Sequence, residues 1–358
     1  MKNMHLHRLW PFLILLLLTA CEDPGSDLFP SRYDEGVFVV NEGNYNAGNA
    51  SLTYFRRSDA RSFNGVYALE NNNLPLGDVA HSMTVHNGRG YVVLNNSNKV
   101  EVVDLATLQR VGTITGVAQP RYLLAVSPNK AYLSYWGSTG VGGGIAVVDL
   151  GTLQVTGTLL AGAAVEQMLL HNGKVYATRN GGFGSDNRLV ALDPATDQVL
   201  GEATVGDSPE SIVAQGQTLY VLCNGRKSYS PNPPYPLDTA NSTPASLWEV
   251  EAATLVPGGL ITGADLAASA SDLVTANGKI YFLYGGKLMR WDPQMPANGP
   301  TVFVNGQFYA FGYHAAEDVF YLGDPVDYQS EGTVYRYASD GTLLSTFSSG
   351  IIPGGFAF

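Results

Sequence analysis

The chain has 358 residues, with 20 basic and 31 acidic side chains, a formal net charge of −11 at pH 7, 45% hydrophobic residues and two cysteines. Such an excess of carboxylates repels a phosphate backbone and excludes nucleic acid as a natural partner, while two cysteines cannot build a disulfide framework. Stability must come from a large apolar core, which a chain of this length can bury.

In chain order, the first segment reads as an address. "MKNMHLHRLWPFLILLLLTAC" starts with Lys2 and Arg8, runs apolar from Leu9 to Leu18 and ends in small residues before Cys21. That is the pattern of a secretory signal, and its apolar run is too short for a spanning helix. "LTAC" resembles the lipobox at which bacterial lipoproteins are cleaved and acylated. Residues 1–20 are therefore expected to be a lipoprotein signal peptide, with Cys21 the lipid-bearing first residue of the mature chain. Without Lys2 and Arg8, 18 basic residues stand against 31 acidic ones, a charge of −13. Residues 21–35, "CEDPGSDLFPSRYDE", are acidic and contain Pro, Gly and Ser, the composition of a flexible tether. An acidic stretch directly after the cysteine also resembles the signal that sends Bacteroidetes lipoproteins to the outside of the outer membrane, so an outer-membrane lipoprotein facing the cell exterior is expected.

From residue 36 onward the sequence repeats. An aromatic residue follows a turn seven times, at Phe38, Tyr91, Tyr132, Tyr176, Tyr220, Tyr281 and Phe320, at spacings of 53, 41, 44, 44, 61 and 39 residues. This is near the period of a four-stranded propeller blade. Each unit carries a second strand-and-turn phrase, such as "VEVVDLATLQ", "IAVVDLGTLQ" and "LVALDPATDQ", in which Asp104, Asp149 and Asp193 are placed to bond the backbone of the following turn. Alternation in "KVEVV" and short apolar runs signal strands, and no stretch keeps a helical period over three turns. The expected fold is all-β: a seven-bladed β-propeller over residues 36–358, closed by pairing of N- and C-terminal strands. The terminal "IIPGGFAF" supplies the innermost strand of the blade that begins at "GVFVV". Cys223, after "LYVL", is expected as a buried small hydrophobe.

Architecture accounts for the repeats, so function must lie where the copies differ. One face collects monotonous turns. The other collects the variable loops 41–51, 95–98, 136–144, 179–187, 223–246, 284–286 and 323–332. These carry Tyr45, Asn95, Trp136, Arg179, Phe183, Asn224, Tyr229, Tyr235 and Tyr328 among Asn, Ser and Gly, the composition of a recognition surface. A second column stands at the entry of each inner strand, around the channel mouth: His81, Arg121, Glu166, Glu210, Ser271, Tyr309 and Gly354. Either it contacts a ligand, or it is a polar lining that pairs its own charges, for instance Arg121 with Glu166. His86, His171 and His314 belong to the opposite face. No His-x-x-x-His pair, G-x-S-x-G elbow or P-loop occurs, and "GDPVDYQSEG" lacks EF-hand ligand spacing. Neither a catalytic residue nor a metal site is expected, although Glu166 with Glu210 leaves a carboxylate pair for hydrolysis open.

"GVFVVNEGNYNAGNASLTYF", "PLGDVAHSMTVHNGRGYVVLNNSNKVEVVDLATL" and "QPRYLLAVSPNKAYLSYW" together resemble the surface propeller lipoproteins of Bacteroidetes in the broad YncE-like seven-bladed group, and most of all its BtuG-type members. The resemblance covers nearly the whole mature chain. It implies capture of cobalamin or a related corrinoid as bound ligand, with no catalytic cofactor, and delivery to a BtuB-type TonB-dependent outer-membrane transporter; the membrane is contacted only through the lipid anchor. The aromatic, Asn-rich loops suit a corrinoid, a broad disc with amide arms. The alternatives are a surface scaffold that binds glycan or protein, and a lactonase-like propeller hydrolase.

Overall fold

The computed structural model describes residues 32–358; the expected signal peptide and Cys21 lie outside the described residues. Alternating apolar positions become strands of pattern intermediate–buried–intermediate, as in Lys174–Arg179, where four consecutive residues are buried because both faces of a blade pack on neighbours. Among the described residues there are seven antiparallel four-stranded sheets. Six are continuous in sequence, at residues 80–114, 120–159, 168–204, 209–262, 270–304 and 310–351. The seventh takes its inner strand, Pro353–Ala357, from the C-terminus and its other three, Val37–Asn41, Ser51–Arg56 and Arg61–Phe63, from the N-terminal side. Phe38 stands opposite Ala357, and Val39 opposite Phe356. Inner strands of successive blades lie side by side around the whole circle. The chain is thus a seven-bladed β-propeller, closed as the sequence predicts. Closure leaves no long free edge at the axis.

All seven aromatic anchors lie in the second strand of a blade, none more than 5% exposed. Two of them pin adjacent blades. The Tyr176 hydroxyl donates to the Ala252 carbonyl of the next blade at 2.7 Å, and the Tyr132 hydroxyl bonds Asp197 in the same way. Apolar clusters fill the gaps between blades, for example Tyr91, Val93 and Val102 against Leu133, Ala146 and Val148. Each such side chain contributes roughly 1.5–3 kcal/mol on burial. Asp104, Asp149 and Asp193 accept backbone N–H groups two or three residues ahead, which fixes the outer turns. Cys223 is buried, and burial pushes its thiol pKa up.

The packed body starts earlier than residue 36. Tyr33, expected in the tether, is 1% exposed, stands edge-on to Tyr54 at 5.0 Å and donates its hydroxyl to Glu70 at 2.7 Å. Glu70 ends a short helix, Val66–Glu70, which interrupts the otherwise all-β pattern. A large ring with a nearby acceptor outweighs the tether-like composition around it.

Candidate functional site at the channel mouth

The first residues of the inner strands enclose a cavity of about 870 Å³ on the face of the variable loops. Six of the seven column residues, His81, Arg121, Glu210, Ser271, Tyr309 and Gly354, line it. A backbone irregularity puts the polar ones there. Ala80 pairs with Leu94 and Ser82 with Val93, so His81 has no partner across the strand. Glu210 is skipped in the same way between Pro209 and Ser211, Asp272 between Ser271 and Leu273, and Arg121 with Tyr122 between Pro120 and Leu123. A bulge of this kind re-aims a side chain, and here it presents charged groups to the axis. Ser271 borders the cavity, but the residue equivalent to His81 and Glu210 in its blade is Asp272, one position on.

Glu166, the seventh column residue, is only 1% exposed and lies under Arg121. The Arg121 guanidinium donates from Nε and Nη2 to both Glu166 oxygens at 2.8–3.1 Å. Asn180 adds a bond to the same carboxylate at 3.2 Å. Burial opposes ionisation of Glu166, but Arg121, helped by His81, reverses this and holds the carboxyl well below its usual range. The guanidinium also lies 4.0 Å from the centre of the Trp136 ring, which meets Phe183 edge-on at 5.5 Å. Loops 136–144 and 179–187 interlock around this pair: the Phe183 amide donates to the Gly140 carbonyl at 2.9 Å, and a Cβ on Gly182, at φ +61°, would meet that carbonyl oxygen at 1.9 Å.

The remaining charged groups of the mouth have no such compensation. Burial pushes Glu42 to about 7, partly opposed by a hydrogen bond from Tyr309 and by Arg121. Burial, then the Glu166 charge, pushes Glu210 to about 8. Burial, partly opposed by the Phe311 amide, pushes Asp272 to about 7. Burial and Arg121 together drop His81 to about 4, so its ring is neutral near pH 7. Its Nε2 lies 3.5 Å from Glu166, without hydrogen-bond geometry.

The loop residues divide. Tyr328 lines the cavity and meets Tyr309 edge-on at 5.9 Å. Tyr45, Phe183, Tyr229 and Tyr235 are 57–74% exposed and form no part of its wall. Asn95 and Asn224 fasten the next inner strand, through the Pro120 carbonyl and the Ala270 amide, and Asn224 also borders the cavity. Arg179 is turned away, paired with Asp186 at 2.7 Å and Glu202 at 3.9 Å. Glu42, Tyr122 and Asp272 escape a strand-entry count, because Glu42 sits in a loop and the other two enter through bulges. Below the mouth lies a smaller chamber of about 260 Å³ that shares His81, Tyr122, Asp272 and Gly354 with the upper cavity. On the opposite face His171 reaches the Gly216 carbonyl at 3.0 Å, a contact between blades. Among the described residues no three His, Cys, Asp or Glu side chains gather as a set able to hold a metal ion.

A family profile described as "Domain of unknown function (DUF5074)" matches residues 35–313. No curated protein matches the chain. Among solved structures, a quinonprotein alcohol dehydrogenase-like protein of Bacteroides thetaiotaomicron is similar at TM-score 0.66 and 14% identity, over 89% of this chain and 76% of that one. The periplasmic gluconolactonase of Pseudomonas aeruginosa is similar at TM-score 0.62 and 10% identity, over 89% and 96%. The hydrazine synthase of Kuenenia stuttgartiensis is similar at TM-score 0.61 and 14% identity, over 77% and 88%. At these identities the likeness shows the fold alone.

Proposed function

We propose that this chain, which belongs to the DUF5074 family, is a binding protein that captures a small polar molecule at its channel mouth. The carrying observation is the 870 Å³ cavity, walled by polar side chains delivered from several blades on a rigid ring. The finer reading follows the sequence resemblance: the molecule is cobalamin or a related corrinoid, the protein is a surface lipoprotein anchored through Cys21, and the receiver is a TonB-dependent outer-membrane transporter. The exposed rings of Tyr45, Phe183, Tyr229 and Tyr235 would then meet the parts of a wide ligand that overhang the cavity. Calorimetric titration of residues 32–358 with cyanocobalamin tests the ligand. Saturable binding that weakens on replacement of Tyr309 and Tyr328 by alanine supports it; absence of heat and of any thermal shift discards the corrinoid.

One observation favours a second reading. Carboxyl groups that titrate near neutrality inside a cavity have the property a general acid needs. A lactonase-like activity is tested by lactone turnover with the wild type and with Glu210→Gln. Turnover unaffected by the substitution would assign the activity elsewhere.

A further inference from the structure

We infer that the channel mouth selects ligands bearing neutral primary carboxamide groups over anions and over ammonium ions, each amide pairing side by side with an uncharged carboxyl group of Glu42, Glu210 or Asp272. This rests on the proposal that the cavity is the capture site. Three half-buried carboxyl groups border one cavity, and among the described residues no Lys, Arg or His makes an ion pair with any of them. The cation at the mouth, Arg121, spends its bidentate face on Glu166. Gathering three carboxyls at one cavity makes it costly to ionise them together, so Glu210 stays mostly neutral at pH 7 while Glu42 and Asp272 keep about half their protons. Their pKa values of about 7 and 8 agree.

The neighbours of each group supply little else. Glu210 faces Arg121, Tyr122, Glu166, Asn180 and Asp272; Glu42 faces Tyr309 and Arg121; Asp272 faces Glu42 and Tyr122 and accepts the Phe311 amide at 3.3 Å. A neutral carboxyl offers one O–H donor and one carbonyl acceptor in a plane. A primary amide offers the complement, an N–H and a C=O, and the two close a pair of parallel hydrogen bonds. A carboxylate finds no unengaged cation. An ammonium group beside Glu210 must first ionise an acid of pKa about 8, which costs about tenfold in affinity at pH 7.

Three probes of one shape separate the cases: benzamide, benzoate and benzylamine, titrated by saturation-transfer NMR into residues 32–358 between pH 6 and pH 9. The expected result is benzamide bound at least about tenfold tighter than either ion at pH 7. Its affinity should fall at least about tenfold from pH 6 to pH 9, as the Glu210 O–H donor is lost through a pKa of about 8. Glu210→Gln, which keeps a donor at every pH, should flatten that fall; Asp272→Asn is the second variant if the first does not fold. Benzylamine preferred with affinity rising with pH, equal binding of all three, or no binding of any overturns the inference. Cyanocobalamin bound without an amide preference would spare the capture proposal and refute the selectivity. Benzamide selected without cyanocobalamin binding would refute the corrinoid and keep the selectivity.

Discussion

Removing the guanidinium of Arg121 should destabilise the ring through the group it leaves behind. In Arg121→Met the Glu166 carboxylate, 1% exposed, keeps Asn180 but loses its counter-charge. Breaking a buried pair on one side costs about 3–5 kcal/mol. For the 327 residues 32–358 the unfolding entropy is about 0.7 kcal/mol/K, so the expected fall in Tm at pH 7 is roughly 4–7 °C. Scanning calorimetry measures it, and pH supplies the internal control. Wild-type Glu166 has a depressed pKa, so its contribution is present above the unfolded value near 4.5 and is lost only as pH falls below that. In the variant the same carboxyl, with burial opposed only by Asn180 and His81, has a raised pKa; protonation relieves it as pH drops from 7 toward 5. The gap between the two proteins should therefore narrow from pH 7 to pH 5. Arg121→Met with Glu166→Leu, which removes both charges, should recover most of the loss. A double variant as unstable as the single one, or a gap that widens on acidification, would refute an unpaired charge as the cause.

Deleting residues 352–358 removes the inner strand Pro353–Ala357 and bares Val37–Asn41, so the whole transition should collapse to a much lower temperature. Gly182→Ala forces a Cβ against the Gly140 carbonyl at a positive φ; a loss of about 1–3 kcal/mol and a change in Trp136 fluorescence, as the two loops part, are expected in denaturant titration. Tyr176→Phe leaves the buried Ala252 carbonyl without its hydroxyl donor and should cost about 1 kcal/mol in the same assay, with no effect on ligand affinity.

The ring was legible in the sequence because its physics is periodic. Each blade needs one large ring after a tight turn to fill the gap to its neighbour, and Tyr91, Tyr132 and Tyr176 announce that need at nearly constant spacing. The turn aspartates repeat for the same reason. The pairing of Arg121 with Glu166 was visible as one of two readings, since like positions of adjacent blades meet at the axis. Tyr33 was not legible: acidic and turn-forming neighbours dominate its composition window, whereas a single ring seated on Tyr54 decides its structure.

The mouth was half legible for a different reason. Counting from the anchors finds the right height on each inner strand but assumes regular pairing, and regular pairing fails at this height in five blades. The count therefore names Ser271 where Asp272 is the bulged residue, and stops at Arg121 where the bulge also includes Tyr122. An extra residue in an inner strand loosens the ladder, which a purely structural ring would have no reason to repeat. Placed where the bulges turn His81, Arg121, Glu210 and Asp272 toward one cavity, the irregularity has a use: it exchanges ladder regularity for polar groups at the axis, against the burial that raises Glu210 and Asp272. Straightening one bulge by deleting Asp272 separates the two roles. Ligand capture at the mouth predicts weaker binding with unchanged or higher Tm; a fall in Tm with affinity intact would make the bulge a packing device instead.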